Sequence, residues 1–320
     1  MAEHSAEKRT LVRLPSGVEV TTTVHTYRGR AGPTVYVQAA QHGKEVNGTE
    51  VLRRVHDRLL DADLAGTVVA VPVANPLTFD RVSYTTPPSL DSVNANMNRV
   101  WPGDPEGSIH ERMAASLWEL VEDSDAVVDL HTGSSDMFTH VVVTEDHPPS
   151  RRLAEAFGTD LTLSEPAGDD ADEEWTERGF AGKLRVAAAR EGLATITPEL
   201  AHNREIVEDA VETGVTGLLN VLRELDLLSE DPEPNGDPTL ARNHLGRVKA
   251  VDSGLFRVDP DRELGEQITE GTRLGTLYDP TTYEVIQEAE ADRDGILYSI
   301  RREATVTAGG TLGGVAEIRK

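Results

Sequence analysis

Between residue 18 and about residue 228 the chain alternates short β-type runs with helix-type runs, and this alternation restricts its fold more than any other feature. Candidate strands are residues 18–24, 34–39, 67–73, 126–130, 140–144 and 194–198; candidate helices are 46–60, 109–122, 151–157 and 205–228. Ser108 and Glu111 have capping-box spacing and set the start of the second helix. Strands separated by helices in this way pair into a largely parallel or mixed sheet covered by the helices, an α/β fold. In such folds ligands gather where strands end and loops begin. The texture changes at SEDPEPNGDP, residues 229–238, where proline, glycine and acid read as a linker. From Arg247 onward, glycine-punctuated β-type runs with no helix pattern predict a smaller all-β C-terminal domain. The expected division is residues 1–230, a linker at 231–238, and residues 239–320.

The chain has no cysteine, which removes disulfides, thiolate ligands and a cysteine nucleophile together. Any metal must be held by His, Asp or Glu. With 56 acidic against 31 basic residues the formal charge is −25, which repels nucleic acid and anionic lipid. Only five of the basic residues are lysine. An acidic, lysine-poor surface suits a protein kept dissolved in concentrated salt, where self-repulsion is screened, so a salt-loving microbe is the expected setting. MAEHSAEKRT lacks the apolar core of a signal peptide, and the longest apolar run, 68–73, is too short to cross a bilayer. A cytoplasmic, soluble protein is expected; a homo-oligomer is left open.

QAAQHGKEVNG follows the candidate strand 34–39 and contains His42-Gly-Lys-Glu45. His-x-x-Glu recurs at His4/Glu7 and His202/Glu205, so the pattern alone carries no weight in a chain with 10 His. A partner in a matching place does. Catalytic zinc commonly takes two His and one carboxylate and keeps a position for water. In AVVDLHTG, His131 stands at the end of a buried-strand pattern, as His42 does, so the two can converge with Glu45 at the sheet's edge. His4/Glu7 lies in a segment expected to fray, and His202/Glu205 at a polar helix start. Metal-assisted hydrolysis also needs a carboxylate to move a proton, and Glu199 in ATITPEL ends another β-type run. Arg99 and Asn98 in NANMNRVWPG can grip an anionic substrate. Asp129 is read as pointing to the face opposite His131 and is assigned no role beside it.

HGKEVNG, VPVANP, NMNRVWPG, DLHTG and TPEL, in that order, resemble the succinylglutamate desuccinylase/aspartoacylase family, a branch of the zinc carboxypeptidase superfamily. The resemblance covers most of residues 35–225, and the C-terminal part is similar to the barrel-type domain of this branch. It implies a zinc-carboxypeptidase-like mixed sheet flanked by helices, and one Zn2+ per chain bound by His42, Glu45 and His131. It further implies Glu199 as general base and acid, and Asn98 and Arg99 on the substrate carboxylate. The implied activity is hydrolysis of the amide bond of a small anionic N-acyl amino acid. Lys44 stands where an acidic residue is usual and Asn96 where Asp usually precedes the Asn-Arg pair. The family's second substrate-binding arginine has no secure match, since Arg81 follows Asn75-Pro76 too closely.

A metallocarboxypeptidase acting on peptides would use the same residues, and the discriminating feature is whether the C-terminal domain and the loop 169–178 narrow the pocket. A non-catalytic metal-binding module is the alternative of another class. A serine hydrolase built on Ser134 or Ser135 is disfavoured, because no Gly-x-Ser-x-Gly surrounds them.

Overall fold

A computed structural model describes residues 2–133, 136–166, 173–233, 236–242 and 247–319. The chain opens with an antiparallel pair, β1 (Glu3–Arg13) and β2 (Glu19–Arg28). There follow β3 (Arg30–Ala39), α1 (Asn47–Asp61), β4 (Ala65–Val71), the single turn α2 (Pro76–Phe79), α3 (Ile109–Val121), β5 (Ala126–Gly133), β6 (Asp136–Met137) and β7 (His140–Thr144). Next come α4 (Pro148–Phe157), β8 (Leu161–Glu165), α5 (Glu173–Glu177), α6 (Leu184–Arg190), β9 (Ala194–His202) and α7 (Glu208–Glu224). The C-terminal strands are β10 (Thr239–Arg242), β11 (Val248–Lys249), β12 (Gly254–Val258), β13 (Gln267–Ile268), β14 (Arg273–Tyr278), β15 (Val285–Glu290), β16 (Gly295–Ile300), β17 (Thr305–Val306) and β18 (Thr311–Ile318).

The main sheet runs in the order β1-β2-β4-β3-β5-β9-β7-β8-β10-β18-β16-β13. Its centre, β4-β3-β5-β9, is parallel, whereas β2 joins β4 and β7 joins β9 antiparallel, so the sheet is mixed. β10 pairs with β8 on one side and β18 on the other, which carries the sheet into the C-terminal strands. A second antiparallel sheet is formed by β15-β14-β12-β17. Helices cover both faces of the central strands. Val35, Val37, Ala126, Val128 and Leu130 pack under residues of α1, α4 and α7. Tyr36, Val69, Val71 and Val127 face α3 and α6 on the other side. Strands buried on both faces read as near-continuous apolar runs, which is why β3 to β5 were legible.

Several elements differ from the sequence expectation. β1 carries EHSAEKRTLVR, mostly exposed, and is held by backbone pairing to β2; an edge strand with charged side chains has no apolar alternation to betray it. His4/Glu7 therefore lies in a paired strand, where fraying was expected. β8 and the short helices α2, α5 and α6 were also unforeseen. β5 and β9 run on to Gly133 and His202, so His131 and Glu199 are strand residues. Glu111 accepts a hydrogen bond from the Ser108 backbone at 2.7 Å, as the capping box requires. No described helix is long and apolar enough to cross a membrane.

Candidate active site

β3 is flanked by β4 on one side and β5 on the other, so the connections leaving β3 and β4 diverge and open a crevice at the carboxyl ends of the strands. The loop leaving β3 carries His42 and Glu45 into it. Ala40, fully buried, takes a left-handed backbone (φ 50°), a strained conformation that a small side chain tolerates and that turns the chain off the strand. Gly43 has a different reason. A Cβ there would lie 2.0 Å from the Thr78 carbonyl, so the backbone of α2 leaves room only for glycine between His42 and Glu45.

His42, Glu45 and His131 are all buried, and one ligand atom from each lies within 4.8 Å of the others. His131 Nδ1 is 3.0 Å from Glu45 Oε2. The Thr132 backbone N–H donates to the same oxygen at 3.1 Å. His42 Nδ1 stands 2.8 Å from the Tyr84 carbonyl and its ring stacks on the Tyr84 ring, 3.9 Å between centroids, which holds the imidazole in place. Burial pushes the His42 imidazole down to about 4 against the pull of Glu45, so it is neutral near pH 7, the form a metal needs. His131, although buried, is held well above its ordinary value by the carboxylates of Asp129 and Glu45. Two carboxylates thus focus on one ring where a cation is welcome. Two imidazoles and a carboxylate, buried, convergent and free of thiolate, fit Zn2+.

Asp129 requires a correction. Its Oδ2 is 2.9 Å from His131 Nε2, because residues two apart on a strand share a face. A buried chain of hydrogen bonds backs it: Tyr36 Oη donates to Gln38 at 2.9 Å, and Gln38 Nε2 donates to Asp129 Oδ1 at 2.8 Å. Such a carboxylate fixes the orientation of a ligating imidazole through its second nitrogen.

Glu199 pairs in register with His131 on one side and His140 on the other. Burial, reinforced by Glu45 and Asp129 and opposed by His131 and Lys183, pushes its carboxyl up to about 7. A carboxyl poised there can both take and give a proton near neutrality. Asn98 Nδ2 is 3.4 Å from His131 Nε2, and its Oδ1 accepts from the Leu184 backbone at 3.0 Å. Asn96 Oδ1 accepts from the Asn98 backbone at 2.9 Å and shapes the turn that presents Asn98 and Arg99. Arg99 lies over the Phe180 ring at 4.5 Å and donates through Nε to the Arg178 carbonyl at 2.7 Å. Lys44 stands outside this group, its ammonium 5.7 Å from the Tyr84 ring.

The crevice encloses about 180 Å3 and is also lined by Arg178, Lys183, Arg185, Arg247 and Tyr298. Arg185, nearly fully buried, bonds Glu165 and, at 2.6 Å, the Thr144 hydroxyl. Lys183 Nζ is 3.1 Å from Glu165, and burial lowers its ammonium to about 8 despite that carboxylate. Glu165 in turn is brought to about 2 by Lys183 and Arg185, against burial. Arg178 ends the loop 169–178 and Arg247 and Tyr298 belong to the C-terminal part, the two segments expected to narrow the pocket, whereas Glu165, Lys183 and Arg185 had no sequence signal. Glu165 ends the unforeseen β8, Lys183 and Arg185 open the short α6, and Arg247 and Tyr298 come from the C-terminal strands. Arg81 is exposed, donates to the Leu77 carbonyl at 2.8 Å and stays out of the crevice. His202 contacts Glu205 and Asp136, but the three do not converge as a metal cluster. Ser134, Ser135 and 169–172 of the loop 169–178 lie outside the described residues.

A mixed sheet with helices on both faces, a smaller C-terminal antiparallel sheet and a His-Glu-His set at the strand ends define the zinc-carboxypeptidase type of α/β architecture. The catalytic-domain model of succinylglutamate desuccinylase/aspartoacylase matches residues 31–225, and the chain belongs to that family. It is 31% identical over 298 residues to the N-alpha-acetyl-L-2,4-diaminobutyric acid deacetylase of Halomonas elongata, covering 90% of this chain and 83% of the relative. Among solved structures, a succinylglutamate desuccinylase from Silicibacter sp. TM1040 superposes with a TM-score of 0.83 at 22% identity, covering 99% of this chain and 95% of that one. A product-bound ectoine utilization protein from Ruegeria pomeroyi gives 0.83 at 22%, covering 98% and 95%. These two likenesses establish a common fold.

Proposed function

We propose that the protein is a Zn2+-dependent hydrolase that cleaves the amide bond of a small N-acyl amino acid held through its carboxylate, with N-alpha-acetyl-L-2,4-diaminobutyric acid, the compound named for the Halomonas elongata relative, as the leading candidate. The observation that carries the reading is the convergence of His42, Glu45 and His131 beside Glu199 in a crevice rimmed by cations, on a chain whose net charge is −25. One Zn2+ held by His42, Glu45 and His131 would supply Lewis-acid activation of the scissile carbonyl and of water. Glu199 takes the proton of the attacking water and delivers it to the departing nitrogen. Asn98 and Arg99 hold the substrate carboxylate, the planar guanidinium matching it geometrically. Asp129 keeps the His131 ring aimed. Lys183, Arg185 and Glu165 compensate one another and form a rigid charged wall. Residues 1–230 are assigned to the hydrolase domain, and residues 239–320, beyond the 231–238 linker, to a C-terminal domain whose Arg247 and Tyr298 narrow the crevice to a small molecule. We assign the protein to the cytoplasm of a salt-adapted cell.

The test is release of free amino acid by the Zn2+-loaded protein in high salt, from a panel of N-acetyl and N-succinyl amino acids beside short peptides. Turnover of acyl amino acids with peptides left intact is expected. Preferential trimming of peptides would move the reading to a carboxypeptidase, and no turnover with Zn2+ bound would favour a non-catalytic metal-binding module.

A further inference from the structure

A second group of imidazoles lies on the other side of the sheet. His4 of β1, His25 of β2 and His56 of α1 each offer a nitrogen within 4.8 Å of the others. The register explains the meeting. His4 pairs with Tyr27, and His25 lies two residues back on β2, so all three project from one face toward α1, which lowers His56 onto them. His131 belongs to the opposite face, which it shares with Asp129 and Val127. The two groups are separate.

His4 Nε2 is 3.1 Å from His25 Nδ1, while Zn–N bonds of about 2.0–2.1 Å in a tetrahedron set nitrogens about 3.3 Å apart. The ring centroids of His56 lie 5.0 Å from those of His4 and 5.8 Å from those of His25. Tyr27 Oη stands 2.6 Å from His56 Nδ1 and fixes that ring. Burial, aided by the neighbouring imidazoles, lowers His4 and His25 below the usual range, which keeps them in the uncharged, ligating form at neutral pH. All three are half-buried, so an ion can enter from solvent, and the strongly negative surface concentrates cations around the molecule. Imidazole donors without carboxylates select a borderline transition cation over Mg2+ or Ca2+.

We propose that His4, His25 and His56 form a second metal site that takes a borderline divalent cation such as Zn2+ and ties the β1–β2 hairpin to α1. It is independent of the active-site reading, and the experiment separates the two. The full chain, stripped of metal, is titrated with Zn2+ and its content measured by elemental analysis after desalting. Two equivalents per chain are expected. His25→Gln and His56→Gln should each lose one, His42→Ala should lose the other, and His25→Gln with His42→Ala should bind none. In the His42→Ala background, Zn2+ should raise Tm, and adding His25→Gln should abolish the rise. A second measurement uses the unaltered protein: Cu2+ added after one equivalent of Zn2+ should give an electron paramagnetic resonance spectrum with three-nitrogen coupling. A wild-type stoichiometry of one that His25→Gln leaves unchanged would overturn the proposal. So would a second equivalent that survives both glutamine variants, or Cu2+ with fewer than three nitrogens.

Discussion

Glu199 and His131 face each other across β5 and β9, and the consequences of that pairing are testable residue by residue. As the proposed base Glu199 has to be ionised to accept a proton, so activity should rise as pH climbs through its folded value. Without a metal that value is about 7, above the ordinary 4.5, and a bound cation pulls it down. The acid limb of kcat/KM should therefore lie between about 4.5 and 7; a limb centred above pH 8, read from a pH–rate profile, would argue against this carboxyl. Glu199→Gln should keep its zinc and lose about 10²–10⁴-fold in kcat. His131→Ala should lose the active-site zinc, whereas His202→Ala should not, as metal analysis of the two variants can decide. For Asp129→Asn, competition with a chelator should show metal affinity weakened about 10- to 100-fold, since the amide leaves His131 less firmly oriented. The proposed ligands His42 and His131, which the fold brings together with Glu45, stood out in the sequence because each followed an apolar run. Asp129 was visible too and was misread, by placing i and i+2 on opposite faces of a strand.

At the scale of elements, the turn leaving β3 is the part most closely specified by its residues. Ala40 bends the chain, Gly43 passes against α2, and His42 and Glu45 meet as a result. Gly43→Ala forces a Cβ into the Thr78 carbonyl; a loss of about 1–3 kcal/mol in denaturant unfolding is expected, together with weaker zinc binding. Equal zinc affinity in that variant would show that α2 yields instead. The elements that escaped the sequence share a cause. β1 is an exposed edge strand, β8 spans only five residues, and α2, α5 and α6 are too short for a helical period to register. Lys183, Arg185 and Glu165 sit on or beside such elements, so the charged wall of the crevice was hidden with them.

For the molecule as a whole, the crevice is closed by residues far apart in sequence. Arg247 and Tyr298 reach it because β10 and β18 continue the sheet past β8. Arg247→Ala should raise KM for an anionic substrate about tenfold with little change in kcat, in steady-state kinetics. The charge of −25 repels itself at low ionic strength, so Tm should rise between dilute buffer and molar KCl; a flat response would remove salt adaptation from the account. The α/β class, the change of texture near residue 230, the His42, Glu45 and His131 set and the Glu199 candidate could all be read from the chain alone, because each depends on local periodicity or on a motif a few residues long. Asp129 beneath His131, the salt-bridged wall of Glu165, Lys183 and Arg185, the C-terminal side of the crevice and the His4-His25-His56 cluster were decided only by tertiary structure. Those contacts join residues with no fixed spacing, brought together by strand order and register, and a one-dimensional pattern carries no record of either.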